Sequence, residues 1–394
     1  FDWSAYFSNG SISMPAIVDE ATLMDFMDYG WIIAGPAQPK DRAGYAKALI
    51  DLAKVLKWPI IADVLNPIRH YIDEFEGVVV CSGYDSWLRS EKISTLLHPR
   101  QIIQFGELPT SKVLRLCLRR WQCTGWVVTE EAEDFNAGKL PVEHIHAPVV
   151  PLIRSWLKWI KQSSEEPDPR VGHVAEMEKE VKGLIETAMG EAGSKVEPRV
   201  GSAVFNRMNE ASAIYIASSM PVRDAEYFWP TNNQQTSVFF NRGVNGIDGT
   251  LSTALGIARG IEKPTVLYTG DLALLHDTNG WLVAKSMVDQ ISLTVVLINN
   301  NGGGIFNHLP VSKANSEFET FFGTPQGVDF KYLAKAYSIP YERIKTSDDL
   351  GARLAQLPAK GIRLFEVKTN RKTDATWRKS LFAKIAQKLE SDSN

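Results

Sequence analysis

Thr265-Val266-Leu267-Tyr268-Thr269-Gly270-Asp271-Leu272-Ala273 runs from an apolar, β-branched segment straight into a Gly-Asp turn. It reads as a buried strand with Asp271 at its carboxyl end. A second run of the same kind, residues 293–298, ends in Asn299-Asn300-Asn301-Gly302-Gly303-Gly304-Ile305-Phe306. A helical pattern over residues 279–288 separates the two, which predicts parallel neighbours in one sheet. Open sheets of this kind bind ligands at the carboxyl ends of their strands. A carboxylate and an amide oxygen are therefore expected at one edge.

Outward from this core the alternation continues. Further strands are expected at residues 213–217, 237–240 and 363–368, and helices at 249–261, 332–337 and 373–389. The first half follows the same pattern, with strands at 30–35, 59–63, 77–81, 101–105 and 126–129 and helices at 41–56 and 111–122. In the helix over 41–56, Ala43, Ala46, Leu49, Ile50, Ala53 and Leu56 recur every three or four residues, which places them on one face. Gln162-Ser163-Ser164-Glu165-Glu166-Pro167-Asp168-Pro169 is a charged, proline-bearing linker, and residues 171–189 read as a polar helix with a solvated charged face. The fold class is α/β, with two doubly wound parallel-sheet domains, residues 1–168 and 169–394, divided near Asp168.

The 394 residues carry 43 Lys plus Arg against 46 Asp plus Glu, a formal charge of −3. No basic excess points to nucleic acid or an anionic membrane. The longest apolar runs are of strand length, far below the roughly 20 residues of a membrane helix. Three cysteines, Cys81, Cys117 and Cys123, lack metal-ligand spacing and suit free thiols in a reducing compartment. His144 and His146 alternate along an extended segment, but two ligands do not make a zinc site, and they read as surface histidines. His276 and His308 follow the two strand-end motifs and are candidates for its neighbourhood.

Asp271, the Asn300 side chain and a main-chain carbonyl near Gly302 are hard oxygen ligands that suit magnesium, which shares its sphere with substrate phosphates. The glycines permit close approach of backbone N–H groups to a phosphate. Taken alone, Gly-Asp reads as a helix cap and Asn-Gly as a turn; the pair of motifs at two strand ends points to a site.

Gly270-Asp271-Leu272, 26 residues and Asn299-Asn300 resemble the motif of thiamine diphosphate enzymes that binds magnesium and diphosphate. The flanking Asn241-Arg242-Gly243-Val244-Asn245-Gly246-Ile247-Asp248-Gly249-Thr250-Leu251-Ser252-Thr253-Ala254 and Asn307-His308-Leu309-Pro310 narrow the resemblance to the MenD family, 2-succinyl-5-enolpyruvyl-6-hydroxy-3-cyclohexene-1-carboxylate synthases of menaquinone and phylloquinone biosynthesis. The resemblance implies thiamine diphosphate and Mg2+ as cofactors and 2-oxoglutarate and isochorismate as substrates. It implies that Asp271, Asn300 and the Gly302 carbonyl ligate the metal. Ser219, Gly270, Leu272 and Ala273 would lie along the diphosphate, with Ile305 also in the cofactor site. Ile247 would support the bent cofactor, Arg223 and Arg242 would face substrate carboxylates, and Phe306 and Leu309 would wall the pocket.

Departures from the family pattern are informative. Ser218 stands where the bacterial enzymes carry asparagine and receives no contact. In Thr110-Ser111-Lys112-Val113 only Lys112 survives of a substrate-facing Lys-Arg pair. Around Gly106 there is no Gly-x-Gly-x-x-Gly fingerprint, so a Rossmann-like layout carries no sign of dinucleotide binding. The chain opens Phe1-Asp2-Trp3-Ser4-Ala5-Tyr6-Phe7 with no initiating Met, and by resemblance it begins where the family's middle domain begins. The pyrimidine-binding domain, with the glutamate that activates the cofactor, is then expected on another segment or subunit, the fragment alone is expected to be inactive, and a homo-oligomer, dimer or tetramer, is implied. The departures resemble the plant form, a module of a larger plastid protein, which implies the chloroplast stroma for a plant source and the cytoplasm otherwise. Two other readings stay open: another thiamine diphosphate 2-oxoacid decarboxylase or an acetohydroxyacid synthase, and a noncatalytic assembly subunit retaining the fold.

Overall fold

The computed structural model describes Phe26 and residues 29–71, 77–130, 140–160 and 166–392. Residues 1–7 and the linker start at 162–165, both singled out by sequence, lie outside them. Among the described residues, twelve strands form two sheets. β1 (Gly30–Ala34), β2 (Ile60–Ala62), β3 (Val80–Cys81), β4 (Gln101–Phe105), β5 (Thr124–Thr129) and β6 (Val142–His146) make the first, in the order β3-β2-β1-β4-β5-β6. β7 (Ala213–Ile216), β8 (Ser237–Phe240), β9 (Thr265–Gly270), β10 (Ser292–Asn299), β11 (Tyr341–Ile344) and β12 (Gly361–Lys368) make the second, in the order β11-β12-β10-β9-β7-β8. Every recorded pairing is parallel.

The helices that matter for the site are α1 (Arg42–Leu56), α2 (Lys112–Trp121), α3 (Pro169–Glu191), α4 (Glu197–Phe205), α5 (Met220–Phe228), α6 (Thr250–Ile261), α7 (Asp271–His276), α8 (Gly280–Met287), α9 (Phe330–Ala336) and α10 (Arg371–Asp392). Sequence sets several starts through side-chain caps: Asp41 accepts from the Gly44 N–H at 2.9 Å, Ser111 from Leu114 at 3.0 Å and Asp168 from Arg170 at 2.9 Å. Central strands such as β1 and β10 are buried along their whole length because helices cover both faces.

Two expectations need correction. In α1 the buried face holds Ala46, Leu49, Ile50 and Ala53 as predicted, but Ala43 sits in the exposed first turn. In α3 the charges are not all solvated: Glu178 lies in a buried stripe with Val174 and Val181. Its carboxylate accepts from the N–H groups of Ser82 (2.7 Å) and Gly83 (3.0 Å), so it clamps the helix onto the loop after β3. The three cysteines are free and buried, and burial pushes Cys117 to about 11 and Cys123 to about 12, which keeps them as inert thiols. No helix among the described residues is long and apolar enough to cross a membrane.

Each sheet is sandwiched by two apolar clusters, and these clusters join the halves of the chain. One face of the first sheet packs Trp31, Leu88 and Leu114 against Phe228 of α5 and Leu381, Phe382 and Ile385 of α10. Val64 and Leu65, after β2, pack into the second sheet's cluster. Arg69, 1% exposed, is the polar counterpart of this seam. Its guanidinium donates to the carbonyls of Ala62 (2.7 Å), Glu226 (3.1 Å) and Trp229 (2.6 Å) and lies 3.8 Å from the Glu226 carboxylate.

His70 beside it is buried, with Nε2 3.1 Å from the Val64 carbonyl and Nδ1 3.4 Å from Asn232. Burial drives its pKa down from 6.5 to about 4. The folded chain therefore holds His70 neutral while the unfolded chain takes up a proton near 6.5. This contribution is intact above pH 6.5 and is lost as the pH falls toward 4. Between pH 7 and pH 4.5, urea unfolding is expected to show the native protein losing about 2–3 kcal/mol more than His70→Gln. Parallel pH profiles would contradict this.

Candidate functional site

In the second sheet the chain leaves β7 toward β8 on one side, and the later strands β9 and β10 build outward on the other. The order thus reverses between β7 and β9, and a crevice opens at their carboxyl ends. A cavity of about 340 Å³ occupies it. The turn after β7 brings Ser218 and Ser219, the turn after β9 brings Gly270 to Ala273, and the loop after β10 brings Asn300 and Gly302 to Phe306. Arg223, Arg242 and Ile247 close the other side.

Asp271 is 5% exposed and begins α7. Its side chain does not cap that helix, whose N-cap is Gly270: Oδ1 accepts from the Leu272 N–H at 2.9 Å, and Oδ2 accepts from the Gly302 N–H at 2.8 Å, tying the loop after β10 to the end of β9. Burial nonetheless pushes its carboxyl up to about 6 against those N–H groups, so the pocket supplies too little positive charge for a buried carboxylate. Asn300 donates through Nδ2 to Glu197 at 2.6 Å, while its Oδ1 is buried without a hydrogen-bond partner. A buried, undercharged carboxylate and an orphaned amide oxygen in one cavity fit a hard divalent cation. Among the described residues no group of three or more His, Cys, Asp or Glu side chains is arranged to hold a metal ion by itself.

The glycine run works differently from its sequence reading. The N–H groups of Gly302, Gly303 and Gly304 are taken by Asp271, the Gly323 carbonyl (2.8 Å) and the Gly302 carbonyl (2.9 Å). They are not free for a phosphate. The run is glycine because its backbone is crowded: at Gly302, with φ +135°, a Cβ would lie 2.0 Å from the Gly323 carbonyl oxygen, and at Gly303 2.4 Å from that of Phe322. Room for a ligand lies instead at Gly270, where a Cβ would meet nothing within 4 Å. Ser219, opposite, holds φ 77° without a glycine's freedom, a strained conformation of the kind that gathers at functional sites.

Arg223 and Arg242 face the same space. Arg223 Nη1 donates to the Ser219 carbonyl at 2.6 Å, and Arg242 Nε is buried with no hydrogen-bond partner. Desolvation pulls both guanidinium pKa values down; for Arg242 the charge of Arg223 adds to this, and for Arg223 that of Arg115. Past Met220, Arg223 and Ile305 the space continues into a second cavity of about 950 Å³. Lys112, Arg115, Arg120, Arg89, Arg223 and Lys379 line it, and no carboxylate does among the described residues.

Ser219, Arg223, Arg242, Ile247, Gly270, Asp271, Leu272, Ala273, Asn300, Gly302, Ile305 and Phe306, all expected from sequence, therefore share the first cavity. Lys112, Leu309 and His308 line the second. His276 lines neither and faces Asp248 at 3.3 Å. Ser218, given no contact, lines the first cavity while its hydroxyl donates to the Asn241 carbonyl at 3.0 Å. Sequence reasoning missed Arg115 and Glu197. Arg115 had a signal, since it follows Lys112 at helical spacing on α2; Glu197 had none, because it meets Asn300 103 residues away. At the first sheet's own reversal point, between β1 and β4, the cavity presents Glu107 and Glu130, which disfavours a dinucleotide's phosphates.

Residues 219–367 match the family described as thiamine pyrophosphate enzyme, C-terminal TPP binding domain. A 2-succinyl-5-enolpyruvyl-6-hydroxy-3-cyclohexene-1-carboxylate synthase from Trichormus variabilis is 40% identical over 357 residues, covering 91% of this chain and 60% of the relative. The synthase of that name from Synechococcus elongatus is 36% identical over 390 residues, 97% of this chain and 64% of its own length. The chain spans less than two thirds of the length of these relatives. At that level of identity along nearly the whole chain, and with most of the cavity residues falling in the cofactor-binding match, the chain is similar to these synthases throughout and to thiamine pyrophosphate enzymes in the domain that carries the cavity.

Proposed function

We propose that this chain forms the magnesium- and diphosphate-binding part of a synthase that joins a succinyl unit from 2-oxoglutarate to isochorismate with loss of carbon dioxide. The observation that carries the reading is the pairing of Asp271 with the orphaned Oδ1 of Asn300 at the ends of adjacent strands. Asp271, Asn300 and the Gly302 carbonyl would hold Mg2+, and Ser219, Gly270, Leu272, Ala273 and Ile305 would line the diphosphate. When bound, thiamine diphosphate supplies the electron sink for decarboxylation of a 2-oxoacid. Ile247 would support it, Phe306 would wall the same cavity and Leu309 the wider one.

Arg223 and Arg242 orient substrate carboxylates, since a guanidinium offers a planar two-pronged donor. Lys112, in the wider cationic cavity, adds charge for the second anionic substrate. A glutamate to activate the cofactor would come from a pyrimidine-binding segment of another chain or another part of the polypeptide, as expected of sites built between subunits in a homodimer or tetramer. We place the boundary between a middle domain and this diphosphate-binding domain at Asp168. A plastid stroma would suit a plant source and the cytoplasm a bacterial one.

The test is substrate choice in the whole protein. Turnover that requires 2-oxoglutarate with isochorismate is expected; turnover of pyruvate alone would favour another 2-oxoacid decarboxylase, and no turnover of any 2-oxoacid would favour an assembly role. Arg242→Ala is expected to lower kcat/KM about 100-fold, mostly through KM, as uniform binding of a carboxylate is lost. An unchanged KM would remove Arg242 from the substrate site.

A further inference from the structure

Along the inner wall of the cavity, which Glu197 and Asp224 help to line, runs a buried charge network that the proposed reaction does not itself require. Glu197, 2% exposed, begins α4 and faces three elements at once. Its Oε1 accepts from Asn300 Nδ2 at 2.6 Å and from the Thr369 hydroxyl at 3.1 Å, and its Oε2 accepts from Arg378 Nη2 at 2.7 Å. Arg378, on α10 and 1% exposed, is gripped from its other side by Asp224 of α5, with Nε to Oδ1 at 2.7 Å. The Glu197 N–H donates to Asp374 at 3.2 Å. Three donors, from the loop after β10, the end of β12 and α10, thus hold one carboxylate in place.

A primary amide is ambiguous: half a turn about its last bond exchanges oxygen for NH2 in nearly the same volume. If Asn300 turned its nitrogen to the cavity, the site would lose an oxygen ligand and present N–H dipoles to a cation. A carboxylate only accepts, so Glu197 admits the nitrogen side alone. Consistent with this, Asn300 Oδ1 is the buried atom left without a partner. Gly304 leaves the room that this orientation needs, since a Cβ there would stand 2.8 Å from Asn300 Nδ2.

We propose that Glu197 is a positioning residue that locks the Asn300 amide with its oxygen toward the divalent cation, and that Arg378 holds Glu197 in register for that purpose. This rests on the reading of Asp271 and Asn300 as a metal site. It explains why the residue is a carboxylate: glutamine has a single acceptor oxygen, which cannot serve both Asn300 and Arg378, and its own amide can turn over.

The experiment is a donor–acceptor exchange on the full chain, with Mn2+ binding followed by electron paramagnetic resonance at saturating thiamine diphosphate and thermal unfolding in parallel. Glu197→Gln is expected to weaken Mn2+ binding about 10–100-fold, as for outer partners of metal ligands. Asn300→Asp sets two carboxylates together and is expected to weaken it as well. In Glu197→Gln/Asn300→Asp the donor and acceptor change places, so affinity is expected to return to within about threefold of the native chain by the same partner logic. Losses that simply add in the double variant, or a Glu197→Gln affinity within threefold of native, overturn the inference.

If the native chain fails to bind Mn2+ with the cofactor, the metal-site reading falls and takes this inference with it. If the native chain binds and the exchange does not rescue, only this inference falls. Should Glu197→Gln not fold, the Asn300 side-chain NH2 in the native chain, labelled with nitrogen-15, decides: exchange far slower than for exposed asparagines supports the lock, and exchange at the solvent rate overturns it.

Discussion

Replacing Asp271 with alanine is expected to reduce magnesium-dependent binding of thiamine diphosphate more than about 100-fold, close to 3 kcal/mol. The size follows from what one side chain does. Asp271 is the only carboxylate in the proposed ligand set, and a hard cation in a dry cleft depends on it for charge. It also accepts the Gly302 N–H, so its loss frees the loop that carries Asn300. Asp271→Asn separates the two effects: the amide oxygen can keep the Gly302 contact while the charge is gone. Calorimetry with magnesium present and absent should find Asp271→Asn nearly as weak as Asp271→Ala if charge dominates. Affinity unchanged in both would end the assignment of the metal site.

The second large effect concerns the seam between the halves. Arg69→Met is expected to cost about 3–5 kcal/mol of unfolding free energy, the range for breaking a buried charge pair. Methionine fills much of the volume but abandons the carbonyls of Ala62, Glu226 and Trp229. It also leaves the Glu226 carboxyl, which accepts the Val64 N–H at 2.6 Å, without its cation. Burial already pushes that carboxyl well upward, and without Arg69 it is driven further toward the protonated form. Denaturant unfolding measures the loss. A cost under about 1 kcal/mol would mean that the apolar seam suffices, as hydrophobic replacement of a buried pair sometimes does.

Much of the fold was readable because parallel strands are buried on both faces and so spell continuous apolar runs. Ser237–Phe240 and Gln101–Phe105 have their expected limits, and Lys112–Trp121 fills the span between its cap Ser111 and Gln122. The strands that escaped sequence reading are edges. Val142–His146 and Tyr341–Ile344 are half exposed, and Val-Glu-His-Ile-His and Tyr-Glu-Arg-Ile carry no apolar run to betray them. The short α4 and α5 escaped for a related reason, since their buried faces carry Glu197, Asp224 and Glu226, which read as surface charge.

Sequence by itself determined the alternating α/β layout and the strand-end positions of Asp271 and Asn300, because local pattern and strand-end position are properties of neighbours in the chain. It also marked Arg223, Arg242 and Ile247 through their motif. Only the tertiary structure decided what surrounds them. The carboxylate beneath Asn300, the reason the 302–304 run is glycine, the partners of Arg69 and the cationic wall built from Lys112, Arg115 and Lys379 each join residues far apart in sequence. Such contacts leave no periodic trace, since a buried polar group is satisfied by whatever the fold brings within 3 Å, and that is set by the packing of whole elements.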